Sequence, residues 1–243
     1  MRVFRVTIKP RTGMGTPLKG DTIFGHICWQ AAYDEALFGR PLGALLDDYT
    51  SDPFVVVSSA YPVFYRNGRT IYAFKRPDLP FRYFSDEGAG NERTAIENRK
   101  KVKKRSWMLV DSAESLPPFK TGTYLDSAEL AHVMAGESGN LGRKAASAGI
   151  LTEFLQPRNT INRLTGTTGE GQFAPFGVEQ FVYLPDVNLA VFMGLSDKVS
   201  PESALEAMRR MGETGFGKDA SAGLGKFDVV GPIEECSLAN LGH

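Results

Sequence analysis

At 243 residues, 42% hydrophobic and 23% charged, the chain is long enough to bury a core as one large domain or two small ones without covalent staples, and its composition excludes overall disorder. Its 28 Lys and Arg residues balance 28 Asp and Glu residues, which excludes a protein that coats nucleic acid through bulk charge and leaves only local patches for such a role. The chain carries only Cys28 and Cys236, has no apolar stretch long enough to span a bilayer and shows no signal peptide at MRVFRVTIKPRTG, so a cytoplasmic protein is expected.

Residues 2–9, RVFRVTIK, alternate apolar and polar side chains, with Phe4 read as the out-of-phase member, and predict a half-buried strand. The glycine-rich turn PRTGMGTPLKG follows. DTIFGHICWQAAYDEALF then predicts a helix with Asp21 as N-cap and Ile23, Phe24, Ile27, Ala31 and Leu37 near one face. From Pro53 to Lys75 the runs are β-type, and Asn67-Gly68 between Tyr65 and Ile71 signals a hairpin. Residues 86–107 lose the hydrophobic pattern and gather Arg99, Lys100, Lys101, Lys103, Lys104 and Arg105. That run fits a solvated, mobile surface loop or a nucleic-acid contact equally well. Residues 110–150 are mixed, with a short helix expected near Asp126 to Met134.

The C-terminal third is clearer. QFAPFGVEQFVYL and VNLAVFMGL predict two strands joined by Pro185-Asp186, SPESALEAMRRM a helix with Ser200 as N-cap and Pro201 at the first helical position, and LGKFDVVG a last strand. The resulting order, β-α-(long insertion)-β-β-α-β, is that of a split βαβ, ferredoxin-like (RRM-like) domain of the α+β class. The domain is expected to span 1–231 with an insertion at roughly 53–172, leaving 232–243 as a tail or the start of a further domain.

Between the last helix and last strand lies GFGKDASAGLGKF, residues 215–227. GETGFGK, residues 212–218, approaches a phosphate-binding P-loop, but Asp219 stands where a serine or threonine should hold magnesium, and the flanking order is helix-loop-strand. The dinucleotide fingerprint fails as well, because no helix follows Gly225. The remaining physical reading is a loop whose glycines bring backbone N–H groups close to a phosphate or base, with Lys218 and Lys226 supplying charge and Ser221 a hydroxyl. A glycine-rich turn that merely packs tightly between helix and sheet is the competing reading.

A loop of this composition at this place resembles the hallmark of the RAMP superfamily, the RNA-binding subunits of CRISPR effector complexes. TPLKGDTIFGHICW, residues 16–29, looks like the first-helix region of the Csm-type, Cas5-like subunit of type III complexes that caps the 5′ end of the guide RNA. PRNTINRLTGTTGEGQF, residues 157–173, looks like the inserted β-hairpin thumb of that subunit, with Arg163, Thr165 and Gly166 in an Arg-x-Thr-Gly core. The resemblance implies a non-catalytic subunit without a cofactor that holds the repeat-derived crRNA 5′ tag and bridges the large polymerase-like signalling subunit to the adjacent backbone RAMP subunit. It assigns RNA contacts to Gly215, Gly217, Lys218, Ser221, Gly223 and Gly225 on the loop, to Arg158, Arg163 and Thr165 on the hairpin, and to Lys19 before the first helix. Such subunits usually carry a second ferredoxin-like domain, so this chain is expected to be either a shortened form, with ECSLANLGH leading into the missing part, or a compact variant.

Two other classes stand beside this one. A related, Cas6-like branch cuts precursor guide RNA with a histidine from the first helix or its preceding loop, a region that here holds His26. Cleavage through the 2′-hydroxyl needs an acid and a base at the scissile phosphate, however, and His26 sits among Ile23, Phe24, Ile27 and Trp29, where a packed histidine is the commoner outcome. His132 and His243 have no convincing partners, and two cysteines more than two hundred positions apart make no zinc site. The third class is an assembly subunit whose glycine loop faces protein and touches no RNA.

Overall fold

Strand β1 (Arg2–Pro10) shows how alternation becomes a sheet. Phe4, Val6 and Ile8 share one face and are buried, so Val3 rather than Phe4 is the residue out of phase. The computed structural model describes residues 1–80, 83–84, 100, 102–112, 117–138, 149–169 and 171–236. The strands are β2 (Val55–Val57), β3 (Tyr61–Arg66), β4 (Arg69–Lys75), β5 (Trp107–Asp111), β6 (Thr123–Leu125), β7 (Leu151–Arg158), β8 (Phe176–Tyr183), β9 (Asn188–Leu195), β10 (Phe227–Val229) and β11 (Glu234–Glu235). All except β7 and β8 join one antiparallel nine-stranded sheet in the order β10-β1-β9-β3-β4-β5-β6, with β2 pairing β9 beyond the end of β3 and β11 pairing β1. The chain is thus mixed α and β around an antiparallel sheet.

Four α-helices are described: α1 (Gly20–Tyr33), α2 (Leu42–Leu46), α3 (Ser127–Ser138) and α4 (Pro201–Thr214). Helix α1 starts earlier than expected. Lys19 occupies the N-cap position without a side-chain bond, and the Gly20 N–H is satisfied by Ser59 Oγ at 3.2 Å. Asp21 lies inside the first turn, where its Oδ1 accepts from Thr22 N at 2.7 Å and Thr22 Oγ1 at 3.2 Å, so it is not the cap. The earlier start is possible because Gly20 has no Cβ, which would lie 2.4 Å from Val57 O. Helix α4 begins as its sequence predicts, with Ser200 Oγ accepting from Ser203 N and Pro201 in the first turn. Around the expected Asp126 helix, Asp126 Oδ1 accepts from Ala128 N and Glu129 N while Glu129 Oε2 accepts from Asp126 N, a capping box that carries α3 through Ser138.

The core lies where α1 and α4 pack on each other and on the sheet. Ile23, Ile27 and Ala31 of α1 meet Ala204, Ala207, Met208 and Met211 of α4 within one cluster that includes Val6, Ile8, Leu189, Val191 and Met193. The Asn67-Gly68 turn takes the left-handed conformation at both residues (φ 49° and 78°), which matches the twist of the β3–β4 hairpin.

The inserted stretch is built partly into the main sheet and partly as a separate ribbon. Strands β3 to β6 extend the main sheet, and β2 pairs with β9. Strand β8, expected beside β9, leaves the sheet at Pro185-Asp186, where Asp186 has φ 64°, and pairs instead with β7 over all eight residues from Leu151↔Tyr183 to Arg158↔Phe176. Most of β7 is solvent-exposed, so this ribbon needs only one face of β8 to pack. Of the basic run, Lys100, Lys103, Lys104 and Arg105 are described and exposed, with Arg105 3.5 Å from Glu129, while Arg99 and Lys101 lie outside the described residues. No helix among the described residues is long and apolar enough to cross a membrane.

Met208 is fully buried between α4 and the sheet, so Met208→Ala should cost about 2–5 kcal/mol in urea unfolding without changing the far-ultraviolet circular dichroism of the folded state.

Candidate nucleic-acid interface

The glycine loop is closed on itself before it can offer anything to a ligand. Gly215 caps α4 with φ 101°, its N–H bonding Met211 O at 2.9 Å. Phe216 then turns inward, is fully buried, and donates its N–H to Gly225 O at 2.9 Å across the loop's neck. A Cβ on Gly225 would stand 2.1 Å from Phe216 O, and its φ of 76° disfavours any side chain. Gly215 and Gly225 are both buried, which makes them neck residues and leaves the solvent-facing rim to Lys218, Ser221 and Lys226, with Gly217 and Gly223 partly exposed.

The β1–α1 loop holds this rim from the other side. Lys218 N donates to Thr16 Oγ1, Lys226 N to Thr12 Oγ1 and Gly225 N to Gly13 O, at 2.9, 2.9 and 2.8 Å, while Arg11 N donates to Lys226 O at 2.9 Å. Gly15 permits the approach, since a Cβ there would lie 2.4 Å from Lys218 O. Thr12 and Thr16 are thus site residues that the sequence reading passed over. The signal was present in PRTGMGT, where two hydroxyls alternate with glycines.

His26 completes the neck. Its Nε2 accepts from Gly217 N at 3.1 Å and its ring packs 4.8 Å from that of Phe216. Burial lowers its pKa below the usual histidine value, favouring the neutral ring that this bond requires. An imidazole whose Nε2 lone pair is already engaged by a backbone N–H holds the loop in place.

The hairpin reaches the same region through its root. Met14 and Phe181 exchange both backbone hydrogen bonds at 2.8 Å, and Gln180, buried in β8, fills the space where Gly13 lacks a side chain. From Phe181 to Phe176, the partner of Arg158, the strand rises about 17 Å at roughly 3.3 Å per residue. Arg158 and the tip residues Arg163 and Thr165 therefore stand away from the glycine rim at the far end of the ribbon. The expected hairpin segment 157–173 is mostly this tip, closed by Asn162 N to Thr167 O at 3.0 Å and Gly166 N to Asn162 O at 2.8 Å, and Thr165 Oγ1 lies 3.0 Å from Thr167 Oγ1. Arg163 and Thr165 are exposed and Arg158 is partly so.

Charge sorts the basic residues into two groups. Arg2, Arg5, Lys9, Arg11, Lys198 and Arg210 each have a carboxylate partner. Lys19, Arg158, Arg163, Lys218 and Lys226 have none among the described residues. In a chain of zero formal charge, these cations on the rim, the hairpin and the start of α1, together with the exposed Lys100, Lys103 and Lys104, are among those a polyanion would meet. Cys28 and Cys236 are both free thiols, and no group of three or more His, Cys, Asp or Glu side chains with metal-ligand placement occurs among the described residues.

No protein-family profile and no curated protein matches the chain. Solved structures do share its fold. A chain in the Csm1-Csm4 cassette in complex with cA4 superposes with a TM-score of 0.55 at 15% identity, over 97% of this chain and 70% of that one. The same cassette with AMPPNP gives 0.54 at 15% identity over 97% and 71%, and with pppApA 0.53 at 14% over 97% and 70%. The chain therefore shares its fold with a chain of the Csm1-Csm4 cassette.

Gly225→Ala should destabilise the protein by about 1–3 kcal/mol from the backbone conformation alone, read as a lowered urea midpoint. His26 should impose a pH dependence. Its lowered folded-state pKa means that its contribution is complete above the unfolded value of 6.5 and declines as pH falls through that value, because the unfolded chain then binds the extra proton. The stability gap between the parent and His26→Ala should be widest above pH 6.5 and narrow below it, whereas a gap independent of pH would contradict this.

Proposed function

We propose that the chain is a non-catalytic RNA-binding subunit of a type III CRISPR effector complex, holding the 5′ repeat-derived tag of the crRNA and bridging the large signalling subunit to the adjacent backbone RAMP subunit. The observation that carries this reading is the rim itself: Lys218, Ser221 and Lys226 exposed on a loop whose neck is locked by Phe216, Gly225 and His26, next to a hairpin bearing unpaired arginines. The strand order β10-β1-β9-β2, with α1 following β1 and α4 preceding β10, is consistent with a ferredoxin-like RAMP domain in which β7–β8 acts as the thumb.

The chemistry suits a single strand. RNA of that kind is gripped through phosphates and splayed bases, and a rigid rim of two lysines and a serine hydroxyl with an arginine ribbon beyond it offers polar contacts over a length of several nucleotides. The balanced overall charge suits a subunit whose other faces meet protein. Against nuclease chemistry stands the engagement of His26 Nε2 by Gly217 N, which removes the lone pair that a general base would use.

In a salt series with a labelled octaribonucleotide corresponding to the guide tag, Lys218→Ala and Arg163→Ala should each weaken binding by roughly 0.5–1.5 kcal/mol. Each should also flatten the slope of log affinity against log salt by about 0.7. If both variants bind as the parent does, the rim serves a protein contact and the assembly reading replaces this one. Incubation with precursor guide RNA should yield no cleavage; cutting by the parent that His26→Ala abolishes would establish the endoribonuclease reading instead.

A further inference from the structure

Beside the glycine rim, on the far side of the β1–α1 loop, lies a cavity of about 250 Å³. Its walls are the loop ahead of α1, the start of β3, the facing ends of β4 and β5, and the root of the hairpin. The lining is mostly apolar, yet several residues bring polar groups that make no hydrogen bond with another described residue: Tyr61, Lys75, Trp107 and Tyr183. Burial pushes the Tyr183 phenol up to about 12, so it stays a neutral donor at any physiological pH.

Lys75 has no carboxylate partner among the described residues. Its ammonium lies 3.7 Å from the centroid of the Trp107 ring, and the desolvation this entails lowers its pKa from the ordinary lysine value. A cation held in this way gains from an anion brought to it. Lys19, equally unpaired, flanks the same opening at the N-terminus of α1. Another cavity, about 260 Å³ on the hairpin, differs in the decisive respect, since Glu153 and Glu179 line it and would repel a phosphate.

We infer that the cavity between α1, the β4–β5 strand ends and the hairpin root is a binding site for one nucleotide of the bound strand. Its planar base would enter against the tyrosines beside the edge of Trp107, and its phosphate would be held by Lys19 and Lys75. Apolar and aromatic walls take the base by stacking, while the unpartnered phenols and the indole N–H offer donors to ring acceptors. This inference deepens the RNA-binding reading and rests on it. A strand lying on the Lys218 rim has only to cross Thr16 and Pro17 to reach Lys19, so one base turned inward at that crossing meets the cavity.

The test uses the two tryptophans. Trp29 is exposed and remote from the cavity lining, so Trp29→Phe leaves Trp107 as the sole indole reporter. Titration of that protein with the tag octaribonucleotide should quench Trp107 saturably, and a series of octamers each carrying one abasic site should identify a single position whose loss removes the quench and weakens binding fivefold or more. Lys75→Gln, at an exposed residue that leaves the core intact, should weaken binding of the intact octamer at least threefold.

If the octamer binds in a Lys218-dependent manner yet Trp107 fluorescence and the Lys75→Gln variant are unaffected, the cavity assignment is overturned while the RNA reading stands. If the octamer does not bind at all, the same reporter is titrated with the four nucleoside 5′-monophosphates. Quenching by any of them, lost in Lys75→Gln, upholds a free-nucleotide site against a failed RNA reading, and no quenching overturns both.

Discussion

The zipper between the β1–α1 loop and the glycine loop is the constraint from which the rest of the site follows. Two threonine hydroxyls and two main-chain carbonyls, on Thr12, Thr16, Gly13 and Lys226, take the N–H groups that face them. Each of these bonds ties one loop to the other, so the two loops fix each other. Their mutual closeness explains the glycines better than ligand contact does. Gly15, Gly217 and Gly225 each lie where a side chain would meet Lys218 O, Thr16 or Phe216 O. What faces solvent after that packing is a short arc of lysines and a serine on a stiff base.

That division changes how the loop should be understood as a recognition element. A flexible strap would have to be ordered when RNA binds, at a cost in entropy for each residue fixed. Here the order is already present, supplied by the inward Phe216 and by a neutral His26 that holds Gly217. Preorganisation favours a fixed spacing of charges over adaptability, which agrees with the proposed hold on one invariant end of an RNA.

Much of the frame was legible in the sequence because local signals agreed with tertiary demands. Ser200-Pro201 opens α4 and Asn67-Gly68 turns the β3–β4 hairpin through chemistry confined to a few neighbouring residues. The alternation of β1 was visible too, although its phase was assigned to the wrong residue, because Val3 and Phe4 are both apolar and only the buried face distinguishes them. The departure of β8 from the sheet was not readable. It depends on which partner strand covers it, and both β7 and β9 present eight residues of compatible character. The cavity was equally hidden, for its lining comes from segments around positions 18, 60, 75, 107, 150 and 183 that only the sheet brings together. Lys75 and Trp107 carry no motif; they become neighbours by register across β4 and β5.

A two-stranded ribbon is scarcely stable on its own in water, and this one borrows its footing from a reciprocal pair of bonds between Phe181 and Met14. Met14 stands two residues from each of the threonines that clasp the glycine loop. Ribbon and rim thus share a pivot. The exposed tip, where Leu164 is 97% accessible, is joined to the clasp through a footing only two residues from each threonine.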